Sequence, residues 1–234
     1  MKDPISTGSS CLDANLQGGV VPETITLIYG EPETGKTTLA LQCAANCALV
    51  GQKVLYVDCD GTFAPERLSQ ITGEKFQQVA DQLVLVRPKD FTEQSALVDN
   101  LCDYVGKGFG LVVIDTFNSL YRVKVAETAT KAKASFALNR ELNRQLALVA
   151  QAAKTQRVAV VAVSQVKAVF DNPHVDVAPV ATRVLQFWAD NTVALKPTEN
   201  PQLVKATVKR NRNPQEATCY LMITQTGIRD TKHP

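Results

Sequence analysis

Residues 24–40 read TITLIYGEPETGKTTLA. A β-branched, apolar run ends at Gly30, the octet Gly30-Glu31-Pro32-Glu33-Thr34-Gly35-Lys36-Thr37 follows, and a helix-favouring run begins at Lys36. The octet matches GxxxxGK[ST], in the strand-then-helix setting that this motif requires. Its glycines let the backbone turn tightly and aim N–H groups at phosphate oxygens, while the helix N-terminus adds the positive end of a dipole. Gly30, Glu31, Pro32, Glu33, Thr34, Gly35, Lys36, Thr37 and Thr38 are therefore the candidate nucleotide-binding residues. In such a loop the lysine, Lys36, reaches the β- and γ-phosphates of ATP, and the hydroxyl of Thr37 ligates Mg2+.

Outward from this loop, short β-rich runs alternate with longer helical patterns, which is the signature of βαβ units and a mostly parallel sheet. Strands are predicted at residues 24–29, 53–57, 83–86, 111–115 and 157–163, and helices at residues 36–50, 64–71, 92–105 and 134–154. Residues 111–115 and 157–163 are almost continuously apolar, as strands buried on both faces should be. In residues 134–154, Leu138, Leu142, Leu146 and Val149 recur at helical spacing while Arg140 and Arg144 point away. A polar, proline-containing stretch at 167–182 leads to three further strand-like runs near 192–196, 203–208 and 218–223. Their short separations favour antiparallel pairing with one another. The expected fold is α/β: a mostly parallel twisted sheet flanked by helices, with antiparallel strands added at the C-terminal edge.

Composition sets the bounds. With 234 residues, 45% hydrophobic and 21% charged, the chain falls among ordinary globular domains, and at this length a single core is expected. The longest apolar runs, such as Val158 to Val163, fall far short of the ~20 residues that cross a bilayer. The six cysteines show neither a CxxC pair nor a regular framework, which fits a reducing, cytoplasmic setting. Cys43 and Cys47, four apart without a histidine nearby, read as core filling rather than as metal ligands. The net charge of +2 hides an asymmetry: residues 1–115 carry 8 Lys/Arg against 15 Asp/Glu, and residues 116–234 carry 17 against 8. A basic half is the footprint of a surface that meets phosphates, although solvated surface charge accounts for it equally well.

Leu111-Val112-Val113-Ile114-Asp115 is an apolar strand ending in a carboxylate, two βα units after the phosphate loop. That is the form of a Walker B segment, whose aspartate holds magnesium through water. The segments ISTGSSCLDANLQGGV (5–20), VLYVDCDGTFAPERLSQI (54–71), VVIDTFNSLYR (112–122) and AVVAVSQV (159–166), in order with the phosphate loop, resemble the ATPase core of the RecA-type recombinases. The similarity is greatest to a short archaeal branch that consists of the core alone. It spans residues 1–234 as a single domain, with no separate N-terminal DNA-binding domain expected.

The resemblance implies roles. In the family a glutamate in a DTEGTF-like pattern orients the attacking water; here Asp60 stands in that place, one methylene shorter, in Asp58-Cys59-Asp60-Gly61-Thr62-Phe63. Either Asp60 keeps that role with Lys36 and Gln165, or it serves only the tight Asp-Gly turn. Gln165 matches the glutamine that senses the γ-phosphate; a polar strand cap is the alternative. Two flexible segments correspond to DNA loops, one running from Asp115 to about Lys133, with Arg122, Lys124, Lys131 and Lys133, and one from Val166 to about Thr182, with Lys167, Phe170 and His174. In Lys209-Arg210-Asn211-Arg212, Arg210 and Arg212 are candidates to reach the γ-phosphate of a neighbouring subunit, with Lys209 in reserve, and a solvated hairpin is the rival. The function implied is ATP- and Mg2+-dependent binding of single- or double-stranded DNA in homologous recombination and repair, with slow hydrolysis and the main recombinase or another repair protein as partner; assembly with further copies is left open. A nucleotide-gated protein-interaction module, or a KaiC-like signalling ATPase, is the alternative.

Overall fold

The computed structural model describes residues 2–128, 132–166, 180–211 and 213–231. Nine strands form one sheet in the order β3-β2-β4-β5-β1-β6-β7-β8-β9. The strands are β1 (Ile25–Gly30), β2 (Lys53–Asp58), β3 (Leu83–Val86), β4 (Phe109–Asp115), β5 (Ala159–Gln165), β6 (Asn191–Pro197), β7 (Leu203–Arg210), β8 (Asn213–Thr224) and β9 (Gly227–Asp230). The helices are α1 (Ser10–Asn15), α2 (Lys36–Leu49), α3 (Pro65–Thr72), α4 (Phe76–Ala80), α5 (Phe91–Asp99), α6 (Leu101–Tyr104), α7 (Ser119–Glu127), α8 (Ala132–Gln156) and α9 (Val180–Trp188).

The handedness of crossovers sorts the helices. From β1 the chain crosses through α2 toward β2, and from β2 through α3 and α4 to the edge strand β3. The return through α5 and α6 to β4, through α8 to β5 and through α9 to β6 runs the other way. Right-handed crossovers in opposite directions cover opposite faces of a parallel sheet. Two core clusters result. One packs Leu39, Leu41, Cys43 and Cys47 of α2 against Val113, Val161 and Val163; the other packs Leu142, Leu146 and Val149 of α8 against Val112, Ile114 and Val160. The small residues Ala40, Ala44, Ala45 and Ala48 bury α2 on nearly all sides, so its N-terminus is fixed rigidly at the end of β1.

Adjacent strands β1 and β5 thus send their connections to opposite faces, and the crevice between their carboxyl ends is the place where sheets of this kind bind ligands. The phosphate-loop motif leaves β1 at that crevice.

Several expectations need correction. The strand expected at 192–196 is β6, which pairs with β1 in parallel; the antiparallel extension begins at β7 and gains a further strand, β9. The crossover that allows this is α9. The helix expected at 92–105 breaks at Asn100 into α5 and α6. The cysteines do form a link: Cys11 of α1 and Cys219 of β8 make a disulfide across 208 residues of sequence. Cys43 and Cys47 are fully buried, and burial pushes the Cys47 thiol up to about 12. Phe187 and Trp188, neighbours on α9, meet edge to face with ring centroids 5.8 Å apart; Trp188 packs on the second core cluster, with its indole N–H donating to Asn143 Oδ1 at 2.8 Å, while Phe187 is exposed. Among the described residues, no helix is long and apolar enough to cross a membrane.

Candidate nucleotide site

β1 ends at Gly30 because only glycine fits there: a Cβ would stand 2.2 Å from the carbonyl oxygen of Leu195 on β6. Residues 31–35 then turn, closed by the Thr34 hydroxyl donating to the Glu31 carbonyl at 2.9 Å, and Gly35 enters α2 with φ +81°. No side chain caps α2, so its first-turn N–H groups are available to an anion. Lys36 is 8% exposed and its Nζ donates to the same Glu31 carbonyl. Burial lowers its pKa, while Asp115, Glu31 and Asp60 act to raise it. The ammonium thus lies inside the loop, beside the carboxylates with which it would share a metal nucleotide.

Asp115 ends β4 and is 1% exposed. Its Oδ2 accepts from the Tyr56 hydroxyl at 2.8 Å, whereas Oδ1 is buried with no hydrogen-bond partner. Burial raises its pKa to about 6; Tyr56 and the nearby Thr37 hydroxyl oppose the rise, and Asp60 and Asp58 add to it. Tyr56 is itself held protonated, chiefly by burial. The peptide after Asp115 is cis. A buried, unpaired carboxylate oxygen beside a threonine hydroxyl is a donor set suited to a hard divalent cation such as Mg2+. The residues present therefore fit the metal that the phosphate loop implies.

Asp60 is exposed on the turn after β2, where its Oδ2 accepts from the Thr116 hydroxyl at 3.1 Å. The turn itself is held by a different residue. Asp58, 1% exposed, accepts from the N–H groups of Thr62 (3.0 Å) and Phe63 (3.1 Å) and from Arg87 Nε (2.9 Å). Gln165 ends β5 in register with Gly30, and the next N–H, that of Val166, donates to the Gly30 carbonyl at 3.1 Å. The Gln165 carbonyl accepts from Asn118 Nδ2 at 3.5 Å. Lys36, Thr37, Asp60, Asp115 and Gln165 thus converge at the carboxyl edge of β1, β2, β4 and β5.

Four contributors went unread in the sequence. Ile223 of β8 lies against the loop, its Cδ1 3.0 Å from where a Gly35 Cβ would be, and with Glu33, Gly35, Lys36, Thr37 and Thr38 it lines a recess. Tyr56, Asp58 and Arg87 support the two acidic turns. Only strand pairing brings these residues to the site, and no local motif marks them.

The basic candidates are dispersed. Arg122 and Lys124 lie on helix α7 rather than on a flexible loop, and Lys124 pairs with Glu127 at 3.1 Å. Lys133 lies in the first turn of α8. Lys131, Lys167, Phe170, His174 and Arg212 lie outside the described residues. Arg210 ends β7, beside a small cavity that it lines with Asn15, Gln215 and Glu216, and Lys209 pairs with Glu216 at 3.7 Å.

A family model described as Rad51 matches residues 4–231. The chain is 35% identical over 230 residues to the DNA repair and recombination protein RadB of Thermococcus onnurineus, covering 97% of each. It is 34% identical over 232 residues to RadB of Thermococcus kodakarensis, covering 97% of this chain and 100% of that one. It is 32% identical to RadB of Methanobrevibacter smithii over 216 residues, covering 91% and 88%. Among solved structures, one described as the crystal structure of the RadB recombinase superposes with a TM-score of 0.81 at 35% identity, covering 97% of this chain and all of that one.

Proposed function

The chain belongs to the Rad51 family, and from that premise we propose that it is an ATP- and DNA-binding accessory protein of homologous recombination and DNA repair. The observation that carries the nucleotide part is the meeting of a buried ammonium, uncapped helix N–H groups and an unpaired carboxylate oxygen at one end of the sheet. Repair and recombination follow from the family and from relatives named for that work. A role as a nucleotide-gated module with incidental DNA binding has no observation in its favour.

In this reading the N–H groups of residues 33–38 wrap the phosphates, and Lys36 exchanges the Glu31 carbonyl for β- and γ-phosphate oxygens. Thr37 and Asp115 would hold Mg2+, Asp115 through water. When bound, the ion neutralises charge on the phosphates and fixes their geometry. Asp60 orients the attacking water, Gln165 reports on the γ-phosphate from beside Gly30, and Arg210 or Arg212 reaches the phosphate of a neighbouring copy. Positioning dominates phosphoryl transfer, so the short carboxylate of Asp60 makes hydrolysis slow while leaving binding intact. DNA, of either strandedness, meets Arg122, Lys124, Lys131, Lys133 and Lys167, and the protein partner is the main recombinase or another repair protein.

Lys36→Ala tests the nucleotide site. It should abolish ATP binding in calorimetry with magnesium present and leave the thermal transition nearly unmoved, since the side chain serves the ligand rather than the core. Tight ATP binding by the folded variant would refute the assignment.

A further inference from the structure

β2 carries a group that the nucleotide reading leaves unused. Tyr56 is fully buried on β2, one strand in from the sheet edge, and its side-chain polar atom is spent on Asp115 Oδ2 at 2.8 Å. Its ring meets Phe63 edge-on, with centroids 5.1 Å apart and planes at 71°. The Phe63 N–H is in turn held by Asp58, which Arg87 clasps. The ring is thus fixed on one side by the turn that carries Asp60, and the hydroxyl is fixed on the other by the end of β4.

A carboxylate at a strand end can rotate about Cβ–Cγ, and every rotation moves both oxygens. A donor on one oxygen stops that rotation and leaves the other oxygen with a defined direction. A lysine or arginine would do the same but would cancel the charge that a cation needs. A phenol is a neutral donor of fixed length on a rigid ring, so it orients the carboxylate without neutralising it. The two oxygens of Asp115 show this division, one paired with Tyr56 and the other buried without a hydrogen-bond partner, in a carboxyl that the Thr37 hydroxyl approaches closely enough to favour its charge.

We propose that Tyr56 is a positioning residue for Asp115: it occupies Oδ2, so that Oδ1 is aimed at the divalent cation shared with Thr37, and through Phe63 it sets that aim in register with the turn bearing Asp60. The inference rests on the nucleotide reading above and adds to it a residue that touches neither nucleotide nor metal.

The experiment measures ATP binding by the full chain in calorimetry over a MgCl2 titration, alongside the thermal transition of each variant. Partners that orient a metal ligand from outside the coordination sphere are worth about 10–100-fold in metal affinity, and Asp115 itself reaches the ion through water, so Tyr56→Phe should raise the half-saturating Mg2+ concentration by up to about 10-fold, the lower end of that range. Its ATP binding without metal should match wild type, because Lys36 and the loop N–H groups are untouched. Val54→Ala, a cavity in the same strand, should lower the melting temperature without moving the Mg2+ requirement. In an Asp115→Asn background, Tyr56→Phe should add nothing. An unchanged Mg2+ requirement in Tyr56→Phe, or an equal rise in Val54→Ala, would overturn the inference while leaving the nucleotide site standing. Wild-type binding indifferent to Mg2+ would overturn the metal reading itself, and the inference with it. Should Tyr56→Phe fail to fold, Tyr56→His keeps a ring donor and must need less Mg2+ than Asp115→Asn; equality of those two would overturn the proposal.

Discussion

Lengthening Asp60 by one methylene should accelerate ATP hydrolysis and leave the fold unchanged. The fold is spared because the turn hangs on Asp58, which accepts from Thr62, Phe63 and Arg87, while Asp60 is exposed and accepts from the Thr116 hydroxyl at 3.1 Å. Its substitution should therefore stay within about 0.5 kcal/mol of wild-type stability, as surface changes usually do. For the chemistry, one carbon–carbon bond advances the carboxylate by roughly 1.5 Å. A misplacement of about 1 Å can cost on the order of 10²-fold in rate, so Asp60→Glu should recover up to about that factor. That corresponds to roughly 2.7 kcal/mol of barrier. The assay is steady-state phosphate release by wild type, Asp60→Glu and Asp60→Asn, with and without DNA and over a range of protein concentrations, since the proposed role of Arg210 or Arg212 requires a neighbouring copy. The expected order is Asp60→Glu fastest and Asp60→Asn slowest, at equal ATP affinity. Rapid wild-type turnover that Asp60→Asn leaves untouched would refute the reasoning.

Further outcomes are expected. Neutralising Arg122, Lys124, Lys131 and Lys133 together should weaken DNA binding alike for all sequences and flatten the slope of log K against log salt by up to about one unit per contact, and an unchanged slope would move the DNA surface elsewhere. Arg87→Met should cost about 1–2 kcal/mol in a urea melt, less than a buried pair would, because the Arg87 side chain is half exposed although Asp58 is not. Glu141, held by Arg144 and by Ser95, has its carboxyl lowered to about 2. A carboxylate depressed on folding stabilises above its unfolded pKa near 4.5, and that contribution is lost as pH falls from there toward 2. Melts of wild type and Glu141→Gln should therefore differ by about 0.2–1 kcal/mol at neutral pH, the range of exposed pairs, and converge near pH 2; a gap that persists in acid would contradict the assignment.

The parts legible in the sequence are those whose chemistry is local. Gly30 to Thr38 carry their meaning in consecutive residues, and Asp115 announces itself at the end of an apolar strand. The alternation of runs around them was enough for the parallel core and for its order of elements along the chain. What stayed hidden depends on residues that meet only across the sheet. Asp58 and Asp60 are the same residue type two positions apart, and nothing local tells which of them holds the turn; Arg87, just past the end of β3, decides it. The direction of β6 required a crossover helix, and α9 went unread, so an antiparallel neighbour looked natural. α7 occupies a segment that the resemblance implies to be a loop, and a family likeness does not say how such a segment folds. Cys11 and Cys219 are 208 residues apart, beyond any spacing rule.

One buried amide ties the nucleotide site to the schedule of synthesis. Gln42, on the helix that the phosphate loop opens, donates to the carbonyls of Thr7 and Ile228 and accepts from the Ile228 N–H, a span of 186 residues on the far side. The loop is therefore translated early, whereas the Ile228 bonds to its helix form, and its wall at Ile223 is supplied, only when β8 and β9 emerge. At synthesis rates of about 5–20 residues per second that interval is roughly 10–40 s. Throughout it a nascent chain displays a phosphate-loop sequence before Ile223 has joined the recess beside it.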